Sequence, residues 1–264
     1  MKKEDRHQLN NEYIKGLYVK YFKEIVALRQ KALSVGYLNK LGTQMHDEEA
    51  EQTYMLVRET KPETVVEMSP CRGGSSFWLI SGLIKNEKGF CHSYDVIPDS
   101  EDNLPQEFRD HRKFYLGDAQ EQPVPDNIDY LFMDSDHREP FTQWYIKEVF
   151  PKTTEACLTS VHDMILGKNY LVPEEMDNKG PSGEWVALEQ YFKSEASEKV
   201  LSGAHGYYSS HSKWRGHDNI DNVQKSISEF RKNLFLDNNE VLYYLSDYQA
   251  TRENESSMIL FWNH

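Results

Sequence analysis

The stretch Thr64-Val65-Val66-Glu67-Met68-Ser69-Pro70-Cys71-Arg72-Gly73-Gly74-Ser75-Ser76 contains the pattern that decides the fold. Its first part, 64–68, is rich in β-branched and apolar residues and predicts a buried strand. A turn over 69–74 leads into an apolar segment, 75–84, which predicts a helix. A strand, a tight glycine turn and a helix N-terminus form a pocket for a nucleotide-like ligand, although a purely structural turn has the same pattern.

The turn lacks the two best-known signatures of phosphate binding. It contains neither the Gly-Lys-Ser/Thr of a P-loop nor a G-x-G-x-x-G dinucleotide fingerprint. A ligand that has a ribose and an adenine but no phosphate therefore fits it better. There are two alternatives. One is an NAD- or nucleotide-linked enzyme, and the other is a non-catalytic, cofactor-binding protein of the same fold.

Strand and helix patterns alternate downstream of this stretch. The segments 90–96, 128–133 and 157–161 and a short run ending at Leu116 predict strands, and 140–150 predicts a helix. Strands separated by helices indicate a parallel sheet with helices on both faces. Two strand-like runs close the chain, 241–245 and 258–262, and predict an antiparallel hairpin at one edge of the sheet.

Two helices are predicted before the sheet. Apolar residues at helical spacing predict an amphipathic helix over 12–33. Asp47, Glu48 and Glu49 mark the start of a second helix over 47–60, because acidic side chains are favourable at the positive end of a helix dipole. We expect the first helix to pack on the domain that follows. A dimerisation helix, which would give a homo-oligomer, and a cover over the substrate are the alternatives.

Polar residues follow the end of each predicted strand. After the glycine turn they are Asp95, Gly117-Asp118-Ala119, Asp134 with His137, and His162-Asp163. Ligands of an open parallel sheet bind at the carboxyl ends of its strands. An acidic residue in the position of Asp95 can bind both hydroxyls of a ribose. The spacing therefore predicts a ligand site along one edge of the sheet.

The order of these features resembles that of a class I S-adenosylmethionine-dependent methyltransferase over about residues 42–163. Residues 67–75 resemble the family's first motif, Asp95 its ribose-binding acid, 117–119 its adenine-side motif and Asp134 its fourth motif. The runs FMDSDH and SVHD are similar to the subgroup that includes sugar O-methyltransferases and the proteins named cephalosporin hydroxylases.

The resemblance implies a doubly wound, Rossmann-like α/β fold with a seven-stranded sheet, mostly parallel with an antiparallel C-terminal hairpin, plus N-terminal helices. It divides the chain into an N-terminal helical extension, 1–46, and a methyltransferase domain, 47–264. A substrate-specificity insertion lies at about 166–239, and its stretch 203–217, rich in Gly, His, Tyr and Ser, is predicted as a loop.

The implied cofactor is S-adenosylmethionine. Its predicted contacts are Glu67, Ser69, Gly73, Ser75, Asp95, Asp118, Ala119, Asp134 and Met45. One departure from the family is that Ser69 and Cys71 replace glycines of the usual G-x-G-x-G, and so lose glycine's freedom at positive φ.

The implied reaction is O-methylation of a hydroxyl on a small molecule or sugar. A hydroxyl has a high pKa, so a base or a metal must activate it. His137 is the predicted base, with Asp134 as the second catalytic residue, because imidazole titrates near neutral pH and the resembling sugar O-methyltransferases use a D-x-x-H histidine for this step. A positioning or metal-bound histidine, or a structural one, is the alternative.

A divalent cation, Mg²⁺ or Mn²⁺, is the other means of activation, and its predicted ligands are Asp134, His162 and Asp163. Carboxylate oxygens suit Mg²⁺. Metal-using relatives carry two adjacent acidic residues where this chain has His162-Asp163, and the imidazole shifts the preference towards Mn²⁺. Without a metal, Asp134 would face the amino group of the cofactor's methionine part, and Asp163 would cap or orient.

Composition excludes several classes of protein. The 264 residues include 30 Lys and Arg and 43 Asp and Glu, and the net charge of -13 does not favour nucleic-acid binding. It favours a neutral acceptor over a phosphorylated one. The longest apolar run, 77–84, is too short for a membrane span, and the charged N-terminus has no secretory signal. Three widely spread cysteines predict no disulfide framework and indicate the cytoplasm.

Overall fold

Seven strands form one sheet in the computed structural model, which describes residues 11–36, 41, 45, 47–162, 183–193, 207–208 and 258–263. The strands are β1 (Thr64–Met68), β2 (Phe90–Asp95), β3 (Arg112–Leu116), β4 (Ile128–Met133), β5 (Thr153–Val161), β6 (Tyr207–Tyr208) and β7 (Ile259–Asn263). Their order across the sheet is β3-β2-β1-β4-β5-β7-β6. Strands β1 to β5 run parallel, and β7 runs antiparallel to β5 and β6. The predicted doubly wound α/β fold with an antiparallel C-terminal edge is confirmed.

Helices precede the sheet and connect its strands. They are α1 (Asn11–Ser34), α2 (Asp47–Thr60), α3 (Gly74–Asn86), α4 (Asp99–Asn103), α5 (Gln106–Arg109), α6 (Glu139–Glu148) and α7 (Gly183–Lys193). Two short 3-10 turns lie at Ala119–Glu121 and Phe150–Lys152. The bounds of α2 are the predicted ones, and Pro62 two residues beyond its end explains why it stops there.

The C-terminal edge differs from the prediction in one strand. Strand β7 overlaps the predicted run 258–262, but its partner is β6, which lies in the stretch predicted as a loop. The run 241–245, predicted as the other half of the hairpin, lies outside the described residues. Because β6 is only two residues long, alternation of apolar and polar residues could not reveal it.

The central strands are buried on both faces, as is typical of a parallel sheet covered by helices. In β1, Val65 and Val66 point to opposite faces, and both are fully buried. One core cluster combines α1, α2 and α3 around Trp78, and a second combines α6 and α7 around Tyr145. These two layers fix the sheet and leave the carboxyl ends of β1 to β5 to position the polar residues that follow them.

Helix α1 belongs to the first of these clusters. Its buried apolar residues contact the same core as α2 and α3: Ile14, Leu17, Tyr18, Tyr21, Ile25 and Leu28. Arg29 forms a buried ion pair of 3.0 Å with Glu51 on α2, and the Tyr18 hydroxyl donates to the same carboxylate. The helix therefore packs on the domain, as expected. In the part of the chain that the structure describes, no helix is both long and apolar enough to cross a membrane.

Candidate active site

The turn after β1 has a left-handed backbone even at two residues that are not glycine. Ser69 has a φ of 60° and Cys71 a φ of 50°, and Gly73 follows at 102°. For a residue with a side chain, this conformation costs about 1–2 kcal/mol. The turn is held by bonds from Ser69 N to Tyr94 O (2.8 Å) and from Gly73 N to Pro70 O (2.7 Å). The turn is thus left-handed at Ser69 and Cys71, although their side chains disfavour this conformation.

Glu67 lies beneath this turn and is fully buried. Its carboxylate accepts hydrogen bonds from the hydroxyls of Ser75 (2.7 Å), Ser76 (2.7 Å) and Ser93 (2.6 Å). Burial raises the pKa of Glu67, and the three serine donors partly offset that rise. Both Glu67 and Ser75 are predicted cofactor contacts. In the structure their side chains bind each other, which fixes the first turn of α3 against β1 and β2, and their contacts with the cofactor stay predictions.

Asp95 connects the end of β2 to the turn. Its carboxylate accepts from Cys71 N at 2.7 Å and from Ile97 N at 3.1 Å. Burial raises the pKa of Asp95, and these backbone donors oppose the rise. Because each carboxylate oxygen has two lone pairs, Asp95 can accept further hydrogen bonds from a ligand. It is the only predicted ribose-binding residue, and the fold places it beside the turn after β1.

Exposed apolar side chains flank Asp95. Val96 is 70% exposed and Ile97 38%, and Leu116, at the end of the neighbouring β3, is 55% exposed. Gly117 N donates to Asp95 O at 2.8 Å, which joins the two strand ends. A carboxylate between apolar side chains matches the chemistry of a nucleoside, which presents hydroxyls next to a planar apolar base.

Two other predicted cofactor contacts have local roles. The exposed Asp118 accepts from Gln120 N at 2.9 Å and caps the 3-10 turn that begins at Ala119. Met45 is buried in the core cluster of α1, α2 and α3. The predicted contact of Met45 with the cofactor stays a prediction, because an apolar residue in a loop before a helix can pack inward as readily as cover a ligand.

His162 follows β5 and is fully buried between two carboxylates. Its Nδ1 lies 3.1 Å from Asp134 Oδ1, and its Nε2 lies 3.0 Å from Glu49 Oε2 on α2. Both ring nitrogens thus lie within hydrogen-bond distance of carboxylates, and the role of His162 as a metal ligand stays a prediction. No group of three or more His, Cys, Asp or Glu residues within the described ranges could hold a metal ion. The third predicted ligand, Asp163, lies outside the described residues.

His137 lies between two carboxylates at the same edge. Its Nδ1 is 2.8 Å from Glu184 Oε2, and its Nε2 is 3.9 Å from Asp134 Oδ1. The His137 side chain is 17% exposed, whereas that of Glu184 is 2% exposed. The Tyr145 hydroxyl donates to Glu184 Oε1 at 2.9 Å. Burial raises the pKa of Glu184, and the bonds from His137 and Tyr145 oppose that rise.

Together these contacts form a carboxylate–imidazole row at the carboxyl end of the sheet. Its members, in spatial order, are Glu49, His162, Asp134, His137, Glu184 and Tyr145. Asp134, His137 and His162 are predicted from sequence, but Glu49, Glu184 and Tyr145 are not. Glu49 and Glu184 lie in the first turns of helices, where the helix dipole alone explains an acidic residue.

Comparison with known proteins shows what part of this chain is similar to. A family model described as a methyltransferase domain matches residues 66–164, the segment from β1 to just beyond β5. No curated protein matches the sequence significantly.

Several solved structures are similar to this chain. An O-methyltransferase from Bacillus cereus in complex with SAH has 14% identity and a TM-score of 0.45, covering 69% of this chain and 81% of its own. The O-methyltransferase TomG from Streptomyces achromogenes in complex with SAM has 15% identity and a TM-score of 0.46, covering 76% and 90%. The SAH-bound methyltransferase PaMTH1 from Podospora anserina has 10% identity and a TM-score of 0.47, covering 90% and 88%.

The match spans part of the site and leaves out Glu49 and Glu184. It includes the turn after β1, Asp95, Asp134 and His137, all at one edge of a sheet whose strand order is β3-β2-β1-β4-β5-β7-β6. The part of the chain that forms this edge of the sheet is therefore similar to a methyltransferase domain.

Proposed function

We propose that this protein is an S-adenosylmethionine-dependent methyltransferase that methylates a hydroxyl group of a small molecule or sugar in the cytoplasm. In this proposal His137 removes the hydroxyl proton. One observation carries the proposal: His137 is partly exposed at the carboxyl edge of the sheet, with Nδ1 bound to a buried carboxylate and Nε2 turned towards Asp134. This is the arrangement of a base whose second nitrogen is held by an acidic partner.

S-adenosylmethionine supplies an electrophilic methyl group on a sulfonium, so the protein needs to align the acceptor and make it nucleophilic. A hydroxyl is a weak nucleophile while it holds its proton. The neutral imidazole of His137 can accept that proton, and general-base catalysis of this kind typically contributes about 10²–10⁴-fold. In the proposal Asp134 lies beside the imidazole and offsets the positive charge that develops on it.

The residues at the sheet edge fit the cofactor by their chemistry. Asp95 would bind the ribose hydroxyls, and the exposed side chains of Val96, Ile97 and Leu116 would contact the adenine. The start of α3 presents backbone N–H groups that suit the carboxylate of the methionine part. Asp134, which is negatively charged when ionised, suits its cationic ammonium and sulfonium. No step in the proposal depends on a metal.

Asp95→Ala should weaken binding of both S-adenosylmethionine and S-adenosylhomocysteine about 10- to 100-fold, because charge-assisted hydrogen bonds to the ribose would be lost. Isothermal titration calorimetry measures both affinities. Asp95→Asn removes the charge but retains an acceptor for Cys71 N, so it separates the effect of the charge from the effect of the hydrogen bond to the turn. Asp99→Asn is the matched control, since it removes an exposed acidic residue four positions away. Wild-type affinity in Asp95→Ala would remove Asp95 from the cofactor site.

A further inference from the structure

We propose that Glu184, at the start of α7, is a positioning residue that holds His137 in the tautomer with its proton on Nδ1. This proposal rests on the proposed role of His137, because only in that tautomer is Nε2 unprotonated and able to accept a proton from the acceptor. It gives a function to a residue that lies within the predicted specificity insertion, 166–239.

Two hydrogen bonds join the two residues, one at the imidazole ring and one at the backbone of His137. His137 Nδ1 is 2.8 Å from Glu184 Oε2, and Glu184 N donates to His137 O at 2.9 Å. The other carboxylate oxygen of Glu184 accepts from the Tyr145 hydroxyl at 2.9 Å. Glu184 is 1% exposed, so little water competes for these bonds. Each carboxylate oxygen of Glu184 therefore has a hydrogen-bond partner, and one of these partners is the imidazole.

The carboxylate matters because the required tautomer is not the one that histidine prefers in water. The neutral imidazole of free histidine carries its proton mainly on Nε2, which would block that nitrogen as a base. With the proton on Nε2, the Nδ1 lone pair would face the lone pairs of Glu184 Oε2, an arrangement that costs free energy in a buried site. An ionised Glu184 therefore selects the Nδ1–H form and also stabilises the imidazolium that forms after proton transfer.

The chain docks α7 closely enough for this contact by placing glycine at its first residue. A Cβ on Gly183 would lie 2.7 Å from Glu139 N, the first residue of α6, which is closer than such atoms approach. Gly183 thus lets the start of α7 meet the start of α6, which His137 precedes by two residues. The specificity insertion would then help complete the reaction centre as well as shape the acceptor pocket.

Long-range ¹⁵N–¹H NMR of the uniformly labelled full chain at neutral pH tests the proposal, because it distinguishes the two tautomers of each histidine. The chain has 10 histidines, and His137→Gln assigns the signal by deleting it. We expect the Nδ1–H pattern for His137 in the wild type. In Glu184→Gln, which is nearly isosteric, we expect that pattern to be lost in favour of a mixture or of the Nε2–H form.

Two controls separate the specific contact from general effects. Asp136→Asn removes a carboxylate next to His137 that pairs with Arg138 instead, so it should keep the Nδ1–H form. Tyr145→Phe removes only the second bond to Glu184 and should also keep it. Should Glu184→Gln fail to fold, Glu184→Asp withdraws the carboxylate from Nδ1 and should also lose the Nδ1–H form.

The proposal is overturned by an Nε2–H tautomer in the wild type, or by an unchanged tautomer in folded Glu184→Gln. Neither result depends on turnover. An Nδ1–H tautomer together with normal turnover of His137→Ala would instead retain the positioning contact and contradict the proposed base. Failure of this inference and failure of the proposed function are therefore distinguishable.

Discussion

His137→Ala should slow methyl transfer by about 10²–10⁴-fold, the usual contribution of a general base, while cofactor affinity stays within about twofold of the wild type. The reason is that the proposed role of His137 is to take the proton of the acceptor hydroxyl, whereas the cofactor's proposed contacts lie at Asp95, the turn after β1 and Asp134. Single-turnover transfer from methyl-labelled S-adenosylmethionine measures the rate. The acceptor would come from a screen of small-molecule and sugar hydroxyls.

The matched control for this variant is His111→Ala. His111 immediately precedes β3 and therefore lies at the amino end of the parallel strands, away from the site. It should transfer the methyl group at the wild-type rate. If His137→Ala also did so, His137 would not be the base. If His137→Ala bound S-adenosylhomocysteine much more weakly than the wild type, the slower transfer would result from weaker cofactor binding rather than from loss of proton transfer.

Glu67→Ala should lower the free energy of unfolding by about 3–5 kcal/mol. Three buried serine hydroxyls, of Ser75, Ser76 and Ser93, would lose their shared acceptor. A buried polar group left without a partner costs about 1–3 kcal/mol, and the cost of burying the Glu67 charge is recovered at the same time. Urea denaturation followed by circular dichroism gives the change, provided that the slope with urea concentration is unchanged.

A conservative variant shows whether hydrogen bonding is the cause. Glu67→Gln keeps the size of the side chain and one acceptor oxygen, so it should lose less stability than Glu67→Ala. A loss below about 1 kcal/mol in Glu67→Ala would contradict the structural role, since the serine hydroxyls would then have other partners. That result would also favour the prediction that Glu67 contacts the cofactor directly.

The sheet and the positions of the strand-end residues could be predicted from local sequence because local signals determine them. The apolar runs of β1 and β4 are bounded by turn residues, and their predicted bounds match the structure. Once the strands are known to be parallel, Asp95 and Asp134 must lie at the same edge. The fold then brings them together without further information.

The partners of the two histidines could not be predicted in this way. Glu49 is 113 residues from His162, and Glu184 is 47 residues from His137. Each acidic residue is already explained by its place in the first turn of a helix, where it interacts favourably with the helix dipole. The local sequence therefore does not indicate that it also contacts an imidazole. Glu67 presents a different difficulty. It is predicted from its motif to contact a ligand, but the sequence does not indicate that three serine hydroxyls donate hydrogen bonds to it.

Calorimetric titration of the full chain with S-adenosylmethionine and S-adenosylhomocysteine, without added metal, tests the central claim most directly. We expect both to bind, with one molecule per chain, because the fold, the turn after β1 and Asp95 together provide one cofactor site. A folded protein that binds neither compound would contradict the account.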